Sequence, residues 1–149
     1  MISEHRLSLN WQRKCDNFTY QEINRDHVIR TESGHEIQGS AAPQYMGDSG
    51  LVNPEETLVA AISACHMLTF LVVAAKRKFV VEKYSDDAVG VLEKNTDGKM
   101  AITRVTLSPD IVFSDLAPNN GELDQLHRMA HTGCFIANSV NCEITVESR

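Results

Sequence analysis

Residues 53–78, NPEETLVAAISACHMLTFLVVAAKRK, place the strongest constraint on the fold. Their start is typical of a helix N-terminus: Asn53 can cap free backbone N–H groups, Pro54 suits the first turn, and Glu56 fits a capping box. Residues 57–75 are almost wholly apolar, and three basic residues follow at the negative end of the helix dipole. The sequence therefore predicts one long helix that is apolar nearly all round.

A helix of this kind suits either a membrane or a protein interior. Nineteen mostly apolar residues approach the length of a membrane span. However, Ser63, His66 and Thr69 recur at i, i+3 and i+6 and form a polar stripe, and no secretory signal pattern precedes the helix. We expect a cytoplasmic protein, outside the membrane, in which other protein surfaces cover this helix.

Length and charge indicate how many domains the chain forms and which partners it does not bind. A chain of 149 residues suits a single domain, residues 1–149. Its net charge is −6, its basic residues form no run longer than three, and aromatic residues make up 6%. Nucleic-acid binding needs a concentrated basic surface, so we expect no nucleic-acid partner.

Strand patterns and turn signals surround the apolar helix. Extended patterns occupy residues 3–11, 18–23, 28–30 (resuming near 37), 80–94, 99–107, 111–113 and 141–147. Asn95–Gly98 predicts a hairpin, and a second helix begins near Gly121 and continues to Cys134. Elements in this order favour an α+β fold with antiparallel sheets. One small sheet cannot cover an all-apolar helix, so we expect a homodimer.

The four cysteines are Cys15, Cys65, Cys134 and Cys142, and no CxxC pair occurs. A structural disulfide framework is therefore not expected, and each thiol can be an inert buried side chain. Cys142 lies on the inward face of the last strand pattern, which favours that interpretation. Cys65 and Cys134 each lie on a predicted helix with a histidine nearby, which also suits a reversible redox pair.

Two other functions fit the same residues. His127, His131 and Cys134 recur at i, i+4 and i+7, and Cys65 with His66 would complete a zinc site, although a compact motif such as HExxH is missing. A small-molecule-binding module with inert thiols is the other alternative, since a fold does not fix a function.

Two motifs resemble the OsmC/Ohr family of osmotically inducible and organic hydroperoxide resistance proteins. Asn53-Pro54-Glu55 followed, after nine intervening residues, by Cys65 is similar to that family's NPE-x(9)-C helix, and Ala130-His131-x-x-Cys134-x-x-x-Asn138 is similar to its AH-x-x-C-x-x-x-N segment. The resemblance extends over nearly the whole chain. It implies antiparallel sheets wrapped around two central helices in an intertwined homodimer.

The resemblance also implies a cysteine-based peroxidase, an antioxidant enzyme of the stress response, with no cofactor and no metal. Cys65 matches the cysteine that attacks an organic hydroperoxide, and Cys134 matches the one that resolves the sulfenic acid. Arg25 looks like the arginine of the Ohr branch and Glu55 like the family glutamate that holds it. The reductant expected from the family is a dithiol such as a lipoyl protein.

The chain departs from the family pattern beside both thiols. His66 stands where these relatives commonly have Phe, and Phe135 where they commonly have Pro. The OsmC branch takes its arginine from the loop before the helix, where this chain has Gln44, Tyr45 and Met46.

The predicted helix also bears on assembly and on substrate choice. Glu55 and Cys65 lie ten residues apart, about 15 Å along one helix, so a bend or a partner chain must bring them to one site. Apolar residues around Cys65 (Met67, Leu68 and Phe70) favour an alkyl hydroperoxide over hydrogen peroxide.

Overall fold

The computed structural model describes residues 2–147. The chain divides into two compact units, Met1–Thr57 and Leu58–Arg149. The first unit holds strands β1 (Leu7–Asn10), β2 (His27–Thr31) and β3 (Glu36–Gly39) and the start of helix α1 (Pro54–Lys76). The second holds the rest of α1, strands β4 (Val81–Asp86), β5 (Val89–Lys94), β6 (Met100–Leu107), β7 (Pro109–Phe113) and β8 (Glu143–Val146), and helix α2 (Asn120–Gly133).

The first unit is an antiparallel sheet in the order β1-β2-β3. Gly34, at φ 86°, lies in the turn between β2 and β3, where a side chain would be strained. The prediction of a strand over residues 18–23 is wrong. The backbone N–H groups of Glu22 and Ile23 both donate to the carbonyl of Thr19, which makes this segment a turn. Its aromatic residues mimic a strand pattern, but Phe18 packs edge-on against Trp11 instead.

Helix α1 begins where the sequence predicts. The backbone N–H of Glu56 donates to Asn53 Oδ1 at 2.8 Å, and the N–H of Asn53 donates to the Glu56 carboxylate at 3.1 Å. These two bonds form the expected capping box and satisfy two amides that the helix leaves free.

The second unit holds two sheets. One pairs β4 with β7, and the other has the order β5-β6-β8. The predicted hairpin at Asn95–Gly98 is confirmed, with Gly98 at φ 74° between β5 and β6. Strand β7 begins at Pro109, two residues before the predicted pattern at 111–113. Strand β8 runs parallel to β6, which differs from the expected antiparallel pairing. The α+β class with mainly antiparallel sheets is confirmed.

Helix α2 is capped by Asn119 and Glu122 in a second capping box. It ends at Gly133, one residue earlier than predicted, because the backbone of Cys134 is extended. Cys134 therefore follows the helix instead of lying on it. The two helices meet in a core cluster of Phe70, Val73, Ala74, Leu126 and Ala130. A second cluster packs Ile62 of α1 against Val105 and Leu107 of β6.

Within residues 2–147, one face of α1 stays uncovered. Its exposed apolar residues recur at helical spacing: Ala61, Ala64, Leu68, Val72 and Ala75. Leu68 and Val72 are 59% and 53% exposed. By length and composition alone this helix could cross a membrane, and 28% of its most apolar stretch is buried in the chain.

Candidate functional site

The second unit brings Cys65 and Cys134 together. Cys65 lies in the middle of α1 and is partly exposed, whereas Cys134 follows α2 and is fully buried. The two side chains are close enough for Cys65 to affect the pKa of Cys134, although 69 residues separate them in the sequence. All four cysteines are free thiols in this structure.

The surroundings of the two sulfurs differ. Burial raises the pKa of Cys134, and the nearby Cys65 raises it further. The backbone N–H groups of Ala137 and Ile136 oppose this change; that of Ala137 lies 3.4 Å from the Cys134 sulfur. Cys134 therefore stays protonated near neutral pH and can donate its proton to the Cys65 sulfur.

The close approach of the two helices depends on Gly133. A Cβ at this position would lie 3.0 Å from Cγ2 of Thr69, which is closer than an ordinary van der Waals contact. Thr69 is one turn beyond Cys65 and donates its hydroxyl to the Cys65 carbonyl at 2.9 Å. Glycine thus lets the end of α2 pass directly over the helix that carries Cys65.

The polar stripe of α1 points into the second unit, and each of its members has a partner. Ser63 donates to the carboxylate of Asp86, whose other oxygen accepts the backbone N–H of Ser108 at 2.7 Å. Asp86 thereby connects α1 to the ends of β4 and β6. The hydroxyl of Thr69 bonds within its own helix.

His66, the middle residue of the stripe, pairs with His127 of α2. Nε2 of His66 lies 3.1 Å from Nδ1 of His127, and the rings are nearly parallel at 12°. The two residues are 1% and 5% exposed. Burial, together with the nearby His127 and His131, lowers the pKa of His66 to about 4, against a smaller opposing effect of Asp86. Burial also lowers the pKa of His127, so both rings are neutral near pH 7.

Arg25 and Glu55 belong to the first unit and do not form the expected two-point pair. The Arg25 guanidinium donates to the backbone carbonyls of Ile23 and Tyr20 and lies 5.2 Å from the Tyr20 ring centroid. One oxygen of the Glu55 carboxylate is buried without a hydrogen-bond partner in the described residues. Arg25 also lines a mostly apolar cavity of about 420 Å³, together with Trp11, Phe18 and Pro54.

The residues that depart from the family pattern occupy different environments. His66 is buried in the pair with His127, whereas Phe135 is 81% exposed directly after Cys134. Of the apolar residues expected around Cys65, Leu68 is exposed, but Phe70 is fully buried in the core. Phe70 therefore offers no surface to a substrate.

The remaining two cysteines, Cys15 and Cys142, are also free thiols. Cys142 directly precedes β8 and packs against the second core cluster, and burial raises its pKa. Cys15 is half-buried in the polar segment after β1.

The zinc alternative lacks a ligand cluster. No group of three or more His, Cys, Asp or Glu residues within residues 2–147 is arranged to hold a metal ion. His127 directs one ring nitrogen at His66, and Cys134 lies beyond the helix end, so the i, i+4, i+7 pattern does not produce one ligand face.

Sequence reasoning did not anticipate the His66–His127 pair. The polar stripe marked His66 as inward-facing, and the spacing of His127 and His131 marked a polar face on α2. Nothing in either pattern indicated that the two faces meet, because that depends on how the helices pack.

One protein family model and several solved structures are similar to this chain. A family model described as OsmC-like protein matches residues 47–149. An OsmC-like protein of unknown function from Vibrio cholerae is 42% identical, covers 99% of this chain and 100% of its own, and superposes with a TM-score of 0.92. No curated protein matches the chain.

More distant structures share the fold. The organic hydroperoxide resistance protein OsmC of Legionella pneumophila is 18% identical, with a TM-score of 0.75, 99% of this chain covered and 98% of its own. The organic hydroperoxide resistance protein OhrB of Bacillus subtilis is 19% identical, with a TM-score of 0.71 and the same coverage. With the family model matching well over half of the chain, the thiol-bearing helix included, this protein belongs to the OsmC/Ohr family.

Proposed function

We propose that this protein is a thiol-dependent peroxidase that reduces organic hydroperoxides. The observation that carries the proposal is the contact between a partly exposed thiol, Cys65, and a buried, protonated one, Cys134. Peroxide reduction by a cysteine needs an accessible sulfur to attack and a second thiol within reach to resolve the product. Membership of a family with organic hydroperoxide resistance proteins supports the same function.

The reaction has two steps. The Cys65 thiolate attacks one oxygen of the peroxide, the O–O bond breaks, and the electron pair leaves on the other oxygen, which takes up a proton to give the alcohol. Cys65 is then a sulfenic acid. The Cys134 thiol attacks this sulfur, forms the disulfide and releases water. A dithiol reductant, which the proposal names by class only, returns both cysteines to thiols and becomes a disulfide itself.

Arg25 and Glu55 are proposed to assist the first step. A guanidinium beside Cys65 would favour the thiolate and the negative charge on the leaving oxygen, and Glu55 would orient it. The unpartnered, buried oxygen of Glu55 supports a cationic partner for this carboxylate. The apolar cavity that Arg25 lines supports a substrate with an alkyl group.

We also propose that the protein acts as a cytoplasmic homodimer. The uncovered apolar face of α1 and the exposed apolar side chains of β1 need a partner surface. Since Glu55 and Cys65 lie ten residues apart on one helix, the second chain is the proposed source of the Arg25 and Glu55 that serve a given Cys65.

Peptide mapping of the disulfide tests the function. Reduced protein treated with one equivalent of cumene hydroperoxide should yield a Cys65–Cys134 cross-link, and hydrogen peroxide should react more slowly. Cys65→Ser should abolish peroxide consumption, because a hydroxyl supplies no thiolate at neutral pH. Cys134→Ser should allow one turnover and leave a sulfenic acid on Cys65.

Matched cysteine variants provide the control. Cys15→Ser and Cys142→Ser remove the two thiols that are not part of the proposed pair, so both should retain peroxide consumption, with some loss of stability for Cys142→Ser. Elemental analysis of the same sample tests the zinc alternative. Stoichiometric zinc together with no cross-link would overturn the proposal.

A further inference from the structure

A second cavity has His127 of the histidine pair in its wall. It measures about 430 Å³ and lies between α2 and β8. Volumes of this size accommodate small molecules in proteins. Its wall consists of Asp124, His127, Arg128, His131 and Thr132 on the α2 side and of Ile144 and Val146 on the β8 side.

The α2 side of this cavity presents two opposite charges. Asp124 and Arg128 lie four residues apart, so they are neighbours on one helix face. They are exposed, and neither takes part in an ion pair within the part of the chain that the structure describes. A carboxylate and a guanidinium are therefore both free to bind a ligand.

The cavity wall also contains His127, and one ring nitrogen of this buried residue has no hydrogen-bond partner among the described residues. Nδ1 of His127 is engaged with His66, while Nε2 is buried and has no hydrogen-bond partner among the described residues. A buried polar atom without a partner costs about 1–3 kcal/mol. The contact with His66 fixes the orientation of the His127 ring, which contributes to the cavity wall.

The β8 side is apolar. Ile144 and Val146 both contribute side chains to the cavity from alternate positions of the strand, which places them on one face of the sheet. One negative charge, one positive charge and a branched apolar wall therefore surround a single space.

We propose that this cavity binds a small zwitterion, an α-amino acid with an aliphatic side chain. The ammonium group pairs with Asp124, and the carboxylate pairs with the fork of Arg128. The alkyl group packs against Ile144 and Val146. A simple anion would meet the Asp124 carboxylate and a simple cation the Arg128 guanidinium, so each is disfavoured by one of the two charges.

The proposed site is separate from the thiol chemistry. Both the cavity and the thiol pair lie in the second unit, and the cavity is connected to α1 through the His127–His66 bond. Ligand binding needs no peroxide and no redox step. Its failure and the failure of the peroxidase proposal are therefore distinguishable.

Calorimetric titration of the reduced, full-length protein tests the site. L-Leucine is the probe, with isocaproate (which lacks the ammonium group), isoamylamine (which lacks the carboxylate) and glycine (which lacks the alkyl group) as comparisons. Leucine should bind at least about tenfold more tightly than each of the other three. Equal binding of isocaproate, or no detectable binding of leucine, would overturn the proposal.

Charge-neutral variants locate the binding. Arg128→Gln and Asp124→Asn remove one charge each from the exposed surface of α2, and each should weaken leucine binding by about tenfold or more. Arg104→Gln and Asp110→Asn are matched controls, because both residues are exposed and neither lines the cavity. The controls should bind leucine like the unmodified protein. Leucine binding that all four variants retain would place it elsewhere and refute the assignment.

Discussion

At the scale of single residues, the buried histidine pair makes the stability of the protein depend on pH. His66 and His127 are neutral because burial disfavours their charged forms. The groups that act on His66 are His127, His131 and Asp86, and only Asp86 favours its protonation. The core contact between α1 and α2 therefore depends on keeping two imidazoles uncharged.

Acid should destabilise the protein through His66. Its pKa is about 4 in the folded chain and 6.5 when unfolded, so the unfolded state binds the proton first as the pH falls. The stabilising contribution is complete above pH 6.5 and is lost towards pH 4. For a shift of this size it amounts to roughly 3 kcal/mol. Urea unfolding at about pH 7 and about pH 5 measures the difference.

Substitution of His66 separates its contribution to the pH dependence of stability from the contributions of other groups. His66→Phe removes the titrating ring from the core, so the free energy of unfolding should depend less on pH between 6.5 and 4. His35→Phe, which changes an exposed residue of the turn between β2 and β3, is the control and should leave the slope unchanged. An identical slope in His66→Phe and the unmodified protein would contradict this account.

At the scale of elements, the meeting of α1 with the end of α2 determines the distance between the thiols. Three features act together there: the close approach at Gly133, the end of the helix before Cys134, and the burial of Cys134. Because the interior is closely packed, a single methyl group added at such a contact forces the neighbouring atoms to move.

Gly133→Ala should slow closure of the Cys65–Cys134 disulfide. The new Cβ meets Cγ2 of Thr69 at 3.0 Å and pushes the end of α2 away from α1. Alanine is also the better helix former by about 1 kcal/mol, which offsets part of the packing cost, so stability should change little. Thiol loss after a peroxide pulse measures closure, and thermal unfolding measures stability.

Adding Thr69→Ser to Gly133→Ala tests whether the contact with Cγ2 of Thr69 causes the slower disulfide closure. It removes Cγ2 but keeps the hydroxyl that donates to the Cys65 carbonyl. Disulfide closure in the double variant should therefore recover relative to Gly133→Ala. Closure that remains equally slow in the double variant would show that the methyl contact is not responsible.

At the scale of the whole molecule, the exposed apolar face of α1 is the surface that the proposed dimer would cover. A fully buried leucine contributes about 2 kcal/mol, so leaving Leu68 and Val72 in water forgoes a large part of the available hydrophobic stabilisation. A second copy of the chain presents the same apolar face and can cover it symmetrically.

Sedimentation should show a dimer at micromolar concentration. Leu68→Glu places a charge in the proposed interface and should shift the protein towards monomer or towards loss of the folded state, because charge burial without a partner is costly. Leu116→Glu is the matched control: Leu116 is 65% exposed in the loop after β7, and its replacement should leave the dimer intact. A folded, unmodified monomer at micromolar concentration would refute the dimer.

The sequence by itself determined the elements with strong local signals. The capping box of Asn53 and Glu56, the apolar run of α1 and the Asn95–Gly98 hairpin depend on residues within a few positions of one another, so their patterns predict them directly. The family motifs identified the two thiols. Residues 18–23 show where a local sequence pattern fails to predict the structure, because aromatic and branched side chains there form a turn instead of a strand.

The tertiary structure alone decided which distant residues meet. It placed Cys134 beyond the end of α2 and against Cys65, paired His66 with His127, and left Arg25 bonded to its own loop rather than to Glu55. The physical reason is that these contacts join residues far apart in the chain. Their geometry follows from how whole faces of helices and sheets pack, and no local pattern of residues encodes it.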